Sequence, residues 1–142
     1  MVAIALSQPK AAAHAAKHGG YMESLNVVLY HNDAGIAHAL AANLSQQFPS
    51  VTLIHTSEEI RPVIAKQHAD VLVLDIETSR SGEVERLHQE FPALSIVCTH
   101  RLADEELWAE ALNQGASDVC MPWHADDAVR MVLRERARRA IA

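Results

Sequence analysis

The sequence predicts an α/β protein in which one parallel sheet of five strands is covered by helices on both faces. Three continuous apolar runs carry this prediction, because strands that are buried on both faces are hydrophobic throughout. The runs are Asn26–Tyr30, the stretch that leads up to Asp75, and Leu94–Cys98. Segments of helical periodicity follow the runs, and strands that alternate with helices in this way form parallel sheets.

The first helix and the second strand follow from local signals. Asp33 is placed to cap a helix over residues 34–48, in which apolar side chains recur every four residues. Pro49 ends this helix. The short run Val51–His55 alternates only weakly, which is typical of a strand at a sheet edge.

Capping residues and glycine set most of the later boundaries. Thr56 and Glu59 have the spacing of a capping box, Asp104 has the position of a helix cap, and Gly115 that of a C-terminal stop. The later elements are then predicted as a helix from Pro62 to Gln67, a strand ending at Asp75, a loop over 76–82, a helix over 83–91 and a strand over 94–99. A helix after Asp104, a strand over 118–121 and a helix from about Asp126 to the end complete the chain. The helix after Asp104 is predicted to face inward with Leu107, Trp108, Ala111 and Leu112.

Composition restricts the classes of function. The chain has 142 residues, 49% of them hydrophobic and a formal net charge of −6, which indicates a globular domain that binds neither nucleic acid nor membrane surfaces. Its longest apolar runs are too short to cross a membrane, so we expect a cytoplasmic protein. Cys98 and Cys120 are expected to be buried, reduced thiols.

The first 24 residues differ from the rest. They are rich in alanine, contain a glycine pair and lack an amphipathic period, so we expect a flexible N-terminal arm over 1–24 and a domain over 25–142. A signal peptide is disfavoured because Lys10 and Lys17 follow the short apolar start. Met22 is an alternative start of translation.

Polar residues follow the predicted strands at the points where the strands end. His31, Asn32 and Asp33 follow the first strand, Asp75 ends the third, and Thr99 ends the fourth. In an open parallel sheet the carboxyl ends of the strands meet at one edge, where ligands bind. We therefore expect the functional centre there.

Three motifs resemble the receiver domain of two-component response regulators. ADVLVLD is similar to the phosphoacceptor strand of that family, SIVCT to its fourth strand, and GASDVCMP to the run that carries its lysine and proline. The resemblance covers residues 25–138. It implies a flavodoxin-like (βα)5 fold with strand order 2-1-3-4-5, Asp75 as the phosphoacceptor, Thr99 as the switch hydroxyl, and a cis Met121–Pro122 bond.

Two departures from the family pattern remove charge from the pocket, and the loop after Asp75, IETSRSG, also lacks the family's usual Met-Pro. Receivers carry two adjacent acids after the first strand, where this chain has His31 and Asn32, and they carry a lysine where this chain has Met121 before Pro122. Oxygen ligands remain for Mg²⁺, namely Asp75, Asn32 and Asp33, but with less charge than the family uses. We therefore expect weak Mg²⁺ binding, no certain cofactor, and slow or absent phosphorylation of Asp75.

The resemblance also implies protein partners. A histidine kinase, a phosphotransfer protein or an output protein would contact the surface formed by Leu107, Trp108 and Trp123, and a homodimer is a further possibility. The arginines of the last helix complement its dipole or form a contact surface. The predicted function is that of a non-enzymatic, partner-binding switch in phosphorelay-type signal transduction.

Several alternatives stay open on the sequence alone. Asp75 can be a working phosphoacceptor, or it can simply cap the turn that follows it. Thr99 can be an ordinary strand residue. His31 is expected to be an exposed loop histidine, and a transition-metal site that it forms with Asp33 and Asp75 is the alternative. A flavodoxin-like enzyme or ligand-binding domain that uses the same three residues is the alternative of another class.

Overall fold

The computed structural model describes residues 4–5, 25–102 and 104–141. Within these ranges it contains strands β1 (Ile4–Ala5), β2 (Asn26–Tyr30), β3 (Ser50–Ile54), β4 (Val71–Asp75), β5 (Ser95–Thr99) and β6 (Asp118–Cys120). The helices are α1 (Ala34–Gln47), α2 (Ile60–Gln67), α3 (Glu83–Glu90), α4 (Glu105–Asn113) and α5 (Ala125–Ile141), with 3₁₀ turns at Ser57–Glu59 and Pro122–His124.

The strands form one sheet in the order β1-β3-β2-β4-β5-β6. Strands β2 to β6 are parallel and reproduce the predicted order 2-1-3-4-5, so the predicted fold class is confirmed. Strand β1 lies antiparallel to β3, with Ile4 opposite Leu53 and Ala5 opposite Thr52. The sequence did not indicate this strand. The remainder of the predicted arm over 1–24 lies outside the described residues.

The chain forms two compact units, Met1–Leu72 and Val73–Ala142. In the first unit β2 and β3 pair in register from Asn26 opposite Ser50 to Tyr30 opposite Ile54. Helix α1 buries one stripe against these strands, formed by Ala37, Leu40, Ala41 and Leu44. This stripe keeps the predicted spacing of three and four residues.

Two predicted caps of the first unit are confirmed. The carboxylate of Asp33 accepts a hydrogen bond from the backbone N of Ile36 at 3.0 Å, which satisfies a free donor at the start of α1. Thr56 and Glu59 form the capping box, with the Glu59 carboxylate 3.2 Å from the backbone N of Thr56. Because the capped turn continues directly into helix, α2 begins at Ile60, slightly before the predicted start.

In the second unit β5 and β6 pair in register from Val97 opposite Asp118 to Thr99 opposite Cys120. Asp104 caps α4 by accepting from the backbone N of Glu106 and of Leu107. Gly115 follows the helix with φ +117, and a Cβ atom there would lie 2.5 Å from the His88 ring. Glycine is therefore required at this predicted stop, both for the backbone conformation and for space.

Fewer residues of α4 are buried than the sequence predicted. Ala111 is buried and Trp108 is half-buried, but Leu107 is 41% exposed and Leu112 is 48% exposed. At about 100° per residue, both leucines lie roughly 70° from the midpoint between Ala111 and Trp108, which places them at the rim of the buried stripe.

The expected cis bond before Pro122 was also wrong. The Met121–Pro122 peptide is trans, and Pro122 opens the 3₁₀ turn Pro122–His124. Proline suits the first position of such a turn because its fixed φ is already helical and its missing N–H needs no partner there. Among the described residues, no helix combines the length and the apolar character needed to span a bilayer.

Candidate functional site

Asp75 ends β4 with a buried carboxylate. Its side chain is 1% exposed. One carboxylate oxygen accepts from the backbone N of Glu77 at 2.8 Å, and the other accepts from the Thr78 hydroxyl at 3.1 Å. The Ser79 hydroxyl donates to the Asp75 carbonyl at 2.6 Å. The residue thus anchors the loop that follows it, as the turn-capping alternative expects.

Thr99 ends the neighbouring strand β5. The backbone N of Ile76 donates to the Thr99 carbonyl at 3.1 Å, so the ends of β4 and β5 are hydrogen-bonded. Thr99 is fully buried, and within the described part of the chain its hydroxyl has no hydrogen-bond partner. A buried hydroxyl without a partner costs free energy, which a strand residue chosen only for packing would avoid.

An ion pair joins the loops after these two strands. Arg101 Nε lies 3.1 Å from each carboxylate oxygen of Glu77, and the Arg101 backbone N donates to one of them at 3.0 Å. Partial burial raises the pKa of Glu77, but the hydrogen bonds and charge of Arg101, helped by His100, outweigh burial and leave this pKa below its usual value. Neither residue was predicted from the sequence to belong to the site.

The segment from His100 to Asp104 leads from β5 into α4. His100 is buried, and its backbone N donates to the Cys120 carbonyl at 3.0 Å. Its ring Nδ1 lies 3.0 Å from the backbone N of Leu102. The backbone of this segment is therefore held at His100 and Arg101 before Asp104 caps the helix.

Two uncharged residues follow the end of β6. Met121 is half-buried, and Pro122 is buried. Cys98 and Cys120 are free and buried, as predicted. Burial, together with nearby negative charge, raises the pKa of each thiol to about 12, so both are protonated and unreactive at neutral pH. The β5–β6 register places Cys120 opposite Thr99, on the opposite face of the sheet from Cys98.

The residues after β2 belong to the first unit. His31 is buried, with its Nδ1 accepting from the backbone N of Asp33 at 3.0 Å. The expectation of an exposed loop histidine was therefore wrong, because this local hydrogen bond folds the ring inward. Asn32 and Asp33 are exposed, and the Asp33 carboxylate is used as the α1 cap.

The predicted partner surface lies in the second unit. Trp123 is 59% exposed, Leu107 is 41% exposed and Trp108 is half-buried. Leu102, just before α4, is 70% exposed and adds to the apolar surface. The indole N–H of Trp108 is buried and, among the residues that the structure describes, has no acceptor.

Comparison with known proteins adds to this geometry. No protein-family model and no curated protein sequence matches the chain. Among solved structures, a CheY-like response regulator receiver domain protein from Methanospirillum hungatei aligns with a TM-score of 0.71 and 19% identity, over 81% of this chain and 98% of its own. The chain has the fold of a response-regulator receiver domain.

Two further structures share this receiver fold. A pilus assembly-related protein from Burkholderia pseudomallei aligns with a TM-score of 0.66 and 20% identity, over 79% of this chain and 91% of its own. The response regulator DrrB from Thermotoga maritima aligns with a TM-score of 0.67 and 19% identity, over 79% of this chain and 54% of its own. The roles of Asp75, Thr99 and Met121 in this receiver fold stay predictions.

Proposed function

We propose that the chain is a receiver-like, partner-binding module of phosphorelay-type signal transduction whose phosphorylation pocket is altered. The observation that carries the proposal is the state of Asp75. This carboxylate occupies the strand end of a receiver phosphoacceptor, yet both of its oxygens are hydrogen-bonded within the loop 75–79. Partner binding then depends on the surface around α4 more than on chemistry at Asp75.

Electrostatics supports a weakened pocket. A phosphoryl group on Asp75 would add about two negative charges to a buried position. Met121 offers no positive charge where receivers have a lysine. One charge contact at about 4 Å is worth roughly 1 kcal/mol in water and about 4 kcal/mol at an intermediate dielectric. Because about 1.4 kcal/mol is tenfold, its loss slows transfer by one to three orders of magnitude.

The family-derived metal assignment is part of the proposal. The oxygen ligands that we propose for a weakly held Mg²⁺ are Asp75, Asn32 and Asp33. Asp33 supports low affinity, since its carboxylate already caps α1 and would have to give up that hydrogen bond. The same cap argues against a small enzyme or ligand-binding domain built on His31, Asp33 and Asp75.

The test is exposure of the chain to a small acyl phosphate with Mg²⁺, read by intact mass. The proposed function predicts little or no phosphoryl adduct and weak Mg²⁺ affinity by titration. Asp75→Asn is the control, since any adduct that persists in this variant lies elsewhere. A rapid, complete adduct that Asp75→Asn abolishes would contradict the altered pocket.

A working phosphoacceptor is the second candidate. The buried Thr99 hydroxyl favours it, because an acceptor placed beside this strand end would satisfy that hydroxyl. The adduct measurement above decides between the two candidates, since only this one predicts rapid modification of Asp75.

A role in pilus assembly is a third candidate, favoured by the neighbour of that description, which aligns over 91% of its own chain. Its test is co-purification of pilus-assembly proteins with the tagged chain. Leu107→Asp should abolish their capture through α4, while Asp75→Asn should leave it unchanged. Capture that Leu107→Asp does not affect would exclude this surface as the contact.

A further inference from the structure

The Glu77–Arg101 ion pair connects the loop that Asp75 anchors to the segment that opens α4. Arg101 contributes both its backbone N and its Nε to the same carboxylate, so Glu77 holds the main chain at this point as well as the side chain. The Glu77 side chain is only 17% exposed, while that of Arg101 is 50% exposed. Charge-assisted hydrogen bonds in such partly shielded surroundings are stronger than those of an open surface pair.

The next residues carry this restraint into the helix. The His100 ring Nδ1 lies 3.0 Å from the backbone N of Leu102 and 2.8 Å from its carbonyl O, and the backbone N of Asp104 donates to that carbonyl at 3.0 Å. Asp104 then caps α4. Hydrogen bonds at Arg101, Leu102 and Asp104 thus restrain the described residues between Glu77 and the start of the helix.

We propose that the Glu77–Arg101 ion pair is a latch that fixes the N-terminal end of α4 and thereby sets the partner-binding surface of that helix. Loss of the pair releases the segment 100–104 and changes how Leu102 and Leu107 are presented. The latch rests on the proposed function only in taking this surface to be the one that binds partners.

The experiment measures amide hydrogen exchange of the full chain by NMR. Glu77→Ala, Arg101→Ala and the double variant are compared with Glu83→Ala. This control removes a different ion pair of the same unit, that of Glu83 with Arg86, in which the nitrogen and oxygen lie 3.5 Å apart. The amides read are those of residues 102 and 106–108.

The latch predicts that Glu77→Ala lowers the protection of these amides about twofold to fivefold, the size expected for a half-exposed ion pair. Arg101→Ala should lower it less, because its backbone N still donates to Glu77. The double variant should lose no more than Glu77→Ala alone, because that single variant already removes every hydrogen bond of the pair. Glu83→Ala should leave these amides unchanged, and 1 M salt should lower their protection in the wild type but not in Glu77→Ala.

Unchanged protection in Glu77→Ala, or losses in the double variant that equal the sum of the two single losses, would overturn the latch. These outcomes do not depend on phosphorylation or on a partner, so they are separable from a failure of the proposed function. A chain that is rapidly phosphorylated at Asp75 but shows the coupled loss of protection keeps the latch and loses the altered pocket.

Discussion

The residues that end β2 and the residues that end β4 look alike in sequence and are used differently. Each strand is a continuous apolar run that stops at polar residues. After β2 the carboxylate of Asp33 is exposed and caps a helix. After β4 the carboxylate of Asp75 is buried and anchors a loop. An apolar run thus predicts where a polar group is placed, while the backbone that follows decides whether the group starts a helix or holds a loop.

Replacing Asp75 should have the larger effect on stability. Asp75→Ala leaves the backbone N of Glu77 and the Thr78 hydroxyl without their acceptor in a buried site, which costs about 1–3 kcal/mol. Asp75→Asn keeps one acceptor and should cost less. Urea denaturation measures both. If Asp75→Ala were more stable than the wild type, the free-energy cost of burying the carboxylate would exceed the stabilisation from its hydrogen bonds.

Replacing Asp33 should cost less, since water can replace the lost cap. Asp33→Ala is expected to lower the free energy of unfolding by about 1 kcal/mol, and Asp33→Asn should be close to neutral because asparagine caps equally well. The same urea experiments apply. If Asp33→Ala costs more than Asp75→Ala, the contrast between an exposed cap and a buried anchor is reversed.

The smallest effect is expected from the ion pair beside Asp75. Partial burial raises the pKa of Glu77, but the hydrogen bonds and charge of Arg101 outweigh burial and leave this pKa below its ordinary value of 4.5. A lowered folded-state pKa means that the stabilisation is present above the unfolded value and is lost as the pH falls through the folded value. With Arg101 half exposed, it should be below about 1 kcal/mol.

This prediction is measured as the difference in unfolding free energy between the wild type and Glu77→Gln. The difference should be positive near neutral pH and should disappear at a pH below the folded-state value. A difference that grows as the pH falls would mean that the folded-state pKa of Glu77 is raised instead of lowered. Arg101 would then not be the dominant influence on this pKa.

The sequence predicted the fold well because the signals for it are local. Three buried strands read as apolar runs, and Asp33, Asp104 and the Thr56–Glu59 box act on the backbone within three residues of themselves. Strand β1 escaped prediction because two residues carry no periodicity, and its partner β3 is far along the chain.

The candidate site was predicted only in part. Asp75 and Thr99 could be found because each ends an apolar run. The Glu77–Arg101 pair could not, since its members are 24 residues apart in two loops without periodicity. The burial of His31 could not be predicted, because it depends on a turn that the Asp33 backbone closes. Apolar patterning does not detect such a turn.

The central claim is that the pocket around Asp75 lacks positive charge, and Met121→Lys tests it most directly. The rate at which an acyl phosphate modifies Asp75 in the presence of Mg²⁺ would be compared in the wild type and in this variant by intact mass. The account predicts slow or undetectable modification of the wild type and a rate at least about tenfold higher in Met121→Lys. Rapid modification of the wild type that the added lysine leaves unchanged would contradict it.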